Sequence, residues 1–423
     1  MNENMKPERI GPLAGRRVLE LCSTVAGPAC ARLLGDYGAE VIKIEPLEGD
    51  MVRQMGRHEG DISLYAASIL RNKRSVALNL RTEDGRSLAR AIASHCDIVV
   101  ENFRPGKLEA MGLGYDVLSK DNSGVVLVRI SGYGQTGPNS YKPGYGTICE
   151  AYGGLRHLTG EPDQVPARMA VALTDYLAAI HAAYGAAMAL LEREHSGKGQ
   201  VIDVSLFEAA FSMLEPDVPA YDRLGVIANR DGTGAPGLAP NNIYPTRDST
   251  HVLIAANNNP IFTRLCEAMK RPDMASDPRY RSVRDRVAHR AILDDEVTRW
   301  TASLDSAEVI RVLDEASVPS SLSYSVADAF ADPHFHDRGA IVRHLHPLLG
   351  EIAMTGLVAK LSRTPGAVRS TGPEVGQDTR EVLRELADVD DERIEQLLRT
   401  GVAAAGAREQ ARPGTQKPHG QGT

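Results

Sequence analysis

A doubly wound α/β domain with a Rossmann-like parallel sheet, joined to a smaller α+β domain, is the fold class this sequence predicts. Three observations predict it. Short β-branched runs alternate with helical stretches through the first half of the chain, and strands alternating with helices pair in parallel through right-handed crossovers. Ala and Gly abound while aromatic residues are only 5%, a composition suited to close helix–sheet packing. At 423 residues the chain is also too long for one compact core.

The elements follow in order. Val18–Leu21 is an apolar run followed by a small-residue turn, Ser23 to Pro28; Ala29 to Tyr37 reads as a helix with Gly38 as its C-cap, and Val41 to Glu45 as a β-branched strand closed by Pro46. That is a βαβ unit. Ser75 to Leu80 reads as a strand, Glu83 to Ala93 as a helix, and Asp97 to Glu101 as a strand. Gly124 to Ile130 is a further apolar run, ending in a glycine-rich loop from Ser131 to Gly146. Ala172 to His195 forms a long Ala-rich helix, ended by the turn Ser196 to Gly199, and Gln200 to Leu206 resumes as a strand. The Gly/Pro-rich stretch Asp231 to Pro240 marks a loop or domain boundary. His251 to Ala255 reads as a strand, amphipathic helices continue through Ala331, Gly350 to Leu361 is strand-like, and Glu381 to Arg399 has helical periodicity. The expected organisation is a large domain in residues 1–205, a linker at 206–234 and a small domain at 235–334. A disordered tail is expected at 401–423, because Ala, Gly, Gln and Pro dominate it.

Composition excludes several function classes. Net charge is −7 with dispersed basic residues, so there is no nucleic-acid footprint. No apolar run reaches the roughly 20 residues of a membrane span. The polar start MNENMKPERIGPLAG lacks an apolar core for export, and five cysteines without a C-x-x-C pair read as reduced thiols, so a cytoplasmic protein is expected. The G-x-G-x-x-G fingerprint, the G-x-S-x-G elbow and the G-x-x-x-x-G-K-[ST] loop are all missing. His334/His336 and His344/His346 form H-x-H pairs, but neither has further ligands at suitable spacing, and no metal is expected.

Local features leave two readings open. The first βαβ turn could hold the phosphates of a nucleotide at a helix N-terminus, or be structural only. Asp175, beside Thr174 at the start of the Ala-rich helix, is either a first-turn acid stabilised by the helix dipole or an ionised nucleophile kept charged by the same N–H groups.

Taken in order, the segments VLELCSTVAGPACARLLGDYGAEVIKIEP, LRNKRSVALNL, DIVVENFRPG, ISGYGQTGP, LTGEP, the Asp175 helix and GKGQVIDVSLFEA resemble the class III (CaiB/BaiF) CoA-transferase family. The resemblance implies an enzyme that moves coenzyme A between an acyl-CoA and a carboxylic acid, with no tightly bound cofactor and no ATP, as an interlocked homodimer. It also implies that residues 335–400 join residues 1–205 in the large domain. Asp175 falls on the family's catalytic aspartate. Coenzyme contacts fall on Val25 and Ala26, on Leu78, Asn79, Leu80 and Arg81, and on Asn102, Phe103 and Arg104. The sequence departs from the pattern where Val25 replaces a glutamine, where Ala110 replaces a coenzyme-contacting arginine that Lys107 or Arg104 would have to replace, and where Gly146, beside Tyr145, replaces a glutamate. Arg53, Arg57 and Arg74 are candidates for a second carboxylate, which would favour a dicarboxylate such as succinate. An α-methylacyl-CoA racemase is the alternative within the same fold family, and Tyr145 stands where its histidine base would be. A non-catalytic acyl-CoA-binding protein is the alternative outside catalysis.

Overall fold

The computed structural model describes residues 11–406. Its central sheet begins with β1 (Arg17–Leu21), passes through helix α1 (Ala26–Asp36) to β2 (Glu40–Glu45), and continues with β3 (Lys73–Leu78), β4 (Ile98–Glu101) and β5 (Val126–Ser131). Helix α2 (Gly146–Tyr152) and the long helix α3 (Leu173–Ser196) follow, then β6 (Val201–Ser205), helix α4 (Leu206–Phe211) and a short last strand, β7 (Ala403–Ala404). The strands lie in the order β7-β3-β2-β1-β4-β5-β6. All neighbours pair in parallel except β7, which runs antiparallel to β3 with Ala403 opposite Leu78. Leaving out β7, this is the 3-2-1-4-5-6 order of a Rossmann-type sheet, whose direction of winding reverses between β1 and β4. Ligands bind at that reversal, beyond the carboxyl ends of the strands.

Burial on both faces explains the near-continuous apolar strands. Val18, Val100, Val128 and Ile130 join one core with α1 and α3, while Leu19, Ile42, Val99 and Leu127 join the other. Helix α3 meets α1 and β5 through Ala178, Ala179, Ala182, Ala186 and Ala189, all buried. Residues without bulk on that stripe let the backbones approach closely, so its alanine content is a packing requirement.

The chain divides into two compact units. One holds the described residues up to Leu155 with Ala170–Glu215 and those from His334 on; the other holds Arg156–Met169 and Pro216–Pro333. The second unit has a three-stranded antiparallel sheet of Asn241–Pro245, His251–Ala255 and Ser320–Leu322. Its core includes the buried Arg286, which donates to the Ala239 carbonyl (2.8 Å), the Tyr280 carbonyl (3.1 Å) and Asn259 Oδ1 (2.8 Å), and lies over the Phe262 ring.

Several sequence expectations are corrected. The first helix starts at Ala26, not Ala29, because Pro28 falls in its first turn, where no backbone N–H is needed. Residues 206–234 are not a plain linker: Leu206, Ala209 and Ala210 of α4 are buried in the first unit, and Asp217–Leu224 is a helix. The run Glu381 to Arg399 is two helices, Thr379–Leu386 and Asp391–Arg399. Asp388 between them has φ +49, and the Asp390 side chain caps the second helix at the Arg393 N–H. Residues 401–406 are ordered, with Val402, Ala403 and Ala405 buried beside β3; the rest of the expected tail, 407–423, lies outside the described residues. The strand expected over Gly350 to Leu361 ends at Thr355 and forms a hairpin with Ile341–His346.

Candidate functional site

The reversal point is built on a turn held from below by buried charge. Lys43 on β2 donates to Glu20 (2.9 Å) and to the Cys22 carbonyl (2.8 Å) and forms an ion pair with Asp50 (2.6 Å). Lys73 on β3 donates to the other Glu20 oxygen (2.6 Å) and to the Pro28 carbonyl (2.8 Å). Burial alone would raise the Glu20 carboxyl pKa, but the two ammonium groups outweigh it and hold it below the ordinary value. Burial alone would lower the Lys43 ammonium; Glu20 and Asp50 hold it above its ordinary value instead. Asp50 also accepts the Thr24 N–H (3.0 Å), which fixes Thr24 at φ +65, a left-handed conformation unfavourable for a β-branched residue. From the other side Asn102 accepts the Ser23 N–H (3.0 Å) and donates to the Ser23 carbonyl (2.8 Å). The turn after β1 is therefore clamped to the turn after β4.

That second turn is fixed in the same way. Glu101 accepts the Phe103 N–H (2.7 Å) and pairs with Arg129 (2.6 Å), which also reaches Glu109 (2.7 Å). Burial raises the Glu101 pKa even against Arg129.

Two cavities open here, with Ser23 and Phe103 lining both. The first, about 220 Å³, is lined by Ala26, Asn102, Arg104, Lys142, Tyr145 and Asp175 among others. The second, about 330 Å³, is lined by the whole segment Leu78–Arg81 together with Glu48 and Lys107. The expected contact segments thus converge from β1, β3 and β4. Val25 is the exception: it is the N-cap of α1, buried in the core, and lines neither cavity. Ala110 ends a short helix whose first residue is Lys107, so Lys107 lies at the second cavity and Arg104 at the first.

Asp175 is half-buried in the first turn of α3, two residues after its first residue, Leu173. Its carboxylate lies against Gly146, the first residue of α2; a Cβ built on Gly146 would overlap the carboxylate oxygen and stand 2.9 Å from Cγ. With the Asp175 carboxylate in this position, a side chain at residue 146 would displace it. The glycine-rich loop closes in a related manner, since a Cβ on Gly132 would stand 2.8 Å from the Gly144 Cα. Charge from Asp175 is felt nearby. Burial and then Asp175 push the Cys149 thiol up to about 11. Burial, the Tyr176 hydroxyl (3.0 Å away) and Asp175 together raise the Tyr65 hydroxyl. Nothing in sequence spacing pointed to Tyr65.

Two groups of candidates are not brought to these cavities. Arg53 is bound to Glu45 (2.7 and 2.8 Å) and to the Pro373 carbonyl (2.8 Å), and Arg74 lies between Glu40 and Glu385 (both 2.9 Å). Arg57 is exposed and lines neither cavity. His344 meets the Arg369 carbonyl (2.7 Å) and His346 accepts the Leu348 and Leu349 N–H groups, while His334 and His336 are on a short helix. Among the described residues no three His, Cys, Asp or Glu side chains come together as a metal site, and no helix is long and apolar enough to cross a membrane.

A Rossmann-type sheet whose winding reverses beside a paired cavity, with a carboxylate in one half, defines an α/β protein with a ligand crevice at its strand ends. Residues 13–379 match the model of CoA-transferase family III, and the chain belongs to that family. It is an enzyme, a class III CoA-transferase. A succinyl-CoA–D-citramalate CoA-transferase of Chloroflexus aurantiacus is 43% identical over 396 residues, 93% of this chain and 98% of the relative. The alpha subunit of a succinyl-CoA–L-malate CoA-transferase from the same organism is 41% identical over 392 residues, 91% of each chain. The crystal structure of a CaiB/BaiF family protein from Brucella suis superposes with a TM-score of 0.80 at 32% identity, covering 89% of this chain and all of that one.

Proposed function

We propose that this enzyme transfers coenzyme A from succinyl-CoA to a dicarboxylic acid, with Asp175 as the covalent nucleophile. The observation that carries this reading is the position of Asp175, in a cavity that shares the lining residues Ser23 and Phe103 with the one lined by Leu78–Arg81. The thioester end of the coenzyme would reach Asp175 while its phosphates lie toward Arg81, Lys107 and Arg104. The acids named for the similar transferases, succinate, citramalate and malate, support the substrate class.

In the proposed sequence an Asp175 oxygen attacks the thioester carbonyl. The C–O bond forms, the C–S bond breaks, and a mixed anhydride and CoA thiolate result. The thiolate then attacks the aspartyl carbonyl and releases the donor acid, leaving Asp175 as its CoA thioester. An acceptor carboxylate attacks that thioester, and the first two steps run in reverse. One thioester replaces another, so no ATP is required. Each tetrahedral oxyanion needs N–H donors, and water must be kept from the anhydride.

Purified protein incubated with succinyl-CoA and a panel of acids should yield new CoA esters by mass spectrometry. Asp175→Ala, folded by circular dichroism, should yield none. Hydroxylamine should inactivate the enzyme only when an acyl-CoA is present, by trapping the aspartyl thioester. Equal inactivation without acyl-CoA would remove that intermediate. Deuterium exchange at an α-carbon without transfer would indicate a racemase, and binding without turnover a non-catalytic protein.

A homodimer and a cytoplasmic location belong to the same proposal. Ile180, Tyr184, Met188 and Leu191 form an exposed apolar stripe on α3, opposite its buried alanines, as a subunit interface requires. Light scattering at a dimer mass would support it; a monomer would not. All five cysteines are free and buried, as suits a reducing compartment.

A further inference from the structure

We propose that Lys142 is a specificity-determining residue that reads the second carboxylate of the acid bound at Asp175. This deepens the reading of Asp175 as nucleophile and rests on it. A dicarboxylic acid that presents one carboxylate for acyl exchange carries its other charge into the same cavity. A charge removed from water there needs a cation or hydrogen-bond donors. Arg53 and Arg74 are already neutralised by Glu45, Glu40 and Glu385, and Arg57 lines neither cavity.

The charged residues lining the Asp175 cavity are Arg104, Lys142 and Asp175. Arg104 directly follows Phe103, which lines both cavities, and the proposed reading already assigns it to the coenzyme. Lys142 comes from a different element, the glycine-rich loop, four residues before the Gly146 that abuts the Asp175 carboxylate. That loop is pinned by the contact of Gly132 with Gly144, and the Lys142 N–H is bonded to the Asn139 carbonyl (2.9 Å). Lys142 thus sits in a turn of that loop, is exposed, and its ammonium forms no ion pair among the described residues. A compact cation on a flexible stem can follow dicarboxylates of different length.

The test compares acceptor pairs matched in chain length, glutarate with pentanoate and malate with 3-hydroxybutyrate, using succinyl-CoA as donor. A charge-assisted contact of this kind is worth about 10- to 100-fold in affinity. Lys142→Met is expected to lower kcat/KM for the dicarboxylates by about that factor while leaving the monocarboxylates within about threefold. Lys142→Arg should retain most of the preference. Equal losses for both members of each pair, or no loss for either, would overturn the proposal, the latter marking Lys142 as a solvated surface charge. Failure of the underlying reading has a separate signature: Asp175→Ala would then still transfer coenzyme A to both kinds of acid.

Discussion

Replacing Gly146 by alanine tests the geometry of the site more directly than removing Asp175. Gly146 is outside the left-handed region, so its backbone accepts an L-residue, and it is the first residue of helix α2. The substitution should therefore leave stability unchanged or raise it by about 0.4–1 kcal/mol, through a less flexible unfolded chain. The new methyl, however, overlaps the Asp175 carboxylate and stands 2.9 Å from its Cγ. Restoring ordinary contact requires the carboxylate to move by roughly 1 Å, and a misplacement of that size costs about 10²-fold in rate. That corresponds to about 2.7 kcal/mol of barrier. Initial rates of transfer from succinyl-CoA should fall by about that factor, with KM for succinyl-CoA nearly constant and Tm equal to or above that of the parent. Two results would refute the reasoning. Activity within about threefold of the parent would mean that the carboxylate needs no such placement. A drop in Tm matching the loss of activity would mean that the methyl acts on folding.

The buried cradle yields a stability prediction. Lys43→Met should destabilise the protein by about 3–5 kcal/mol in urea, because Glu20 and Asp50 lose a buried partner; a cost under about 1 kcal/mol would contradict it. Its pH dependence follows from the depressed Glu20 pKa. The stabilisation is fully present above the unfolded-chain value of 4.5 and is lost as pH falls through the lower folded value. The acid limb of urea midpoint against pH should be flatter in Lys43→Met than in the parent, and identical limbs would refute the assignment. Asn102→Ala removes both bonds to Ser23 and should lower kcat/KM for succinyl-CoA by up to about 30-fold, at about 1 kcal/mol per bond. An unchanged kcat/KM would show that the turn holds without its clamp.

Much of the larger unit is legible in the sequence because its signals are local. The β-branched runs at Val41 to Glu45 and Asp97 to Glu101 coincide with β2 and β4 to within a residue, since strands buried on both faces have little choice of composition. Interruptions were harder to read. The break at Asp388 leaves the helical periodicity of residues 381–399 undisturbed, and only the cap from Asp390 reveals it. Residues 401–406 read as tail because they open a stretch dominated by Ala, Gly, Gln and Pro, but pairing with β3 supplies partners that composition does not disclose. Arg53 and Arg74 looked available for a ligand because their acidic partners, Glu45, Glu40 and Glu385, are distant along the chain or belong to another element.

The sequence by itself determined the α/β class, most of the strands of the parallel sheet and, through an ordered set of motifs, the family and its reaction type. The tertiary structure alone decided the strand order 3-2-1-4-5-6, hence the point where the turns after β1 and β4 meet. It also decided which cations remain for a ligand, and that Gly146 packs against the Asp175 carboxylate. The physical reason is range. Strand and helix propensities are written in neighbouring residues, whereas a cavity, a shared carboxylate or a steric exclusion joins residues that only the fold brings within contact distance.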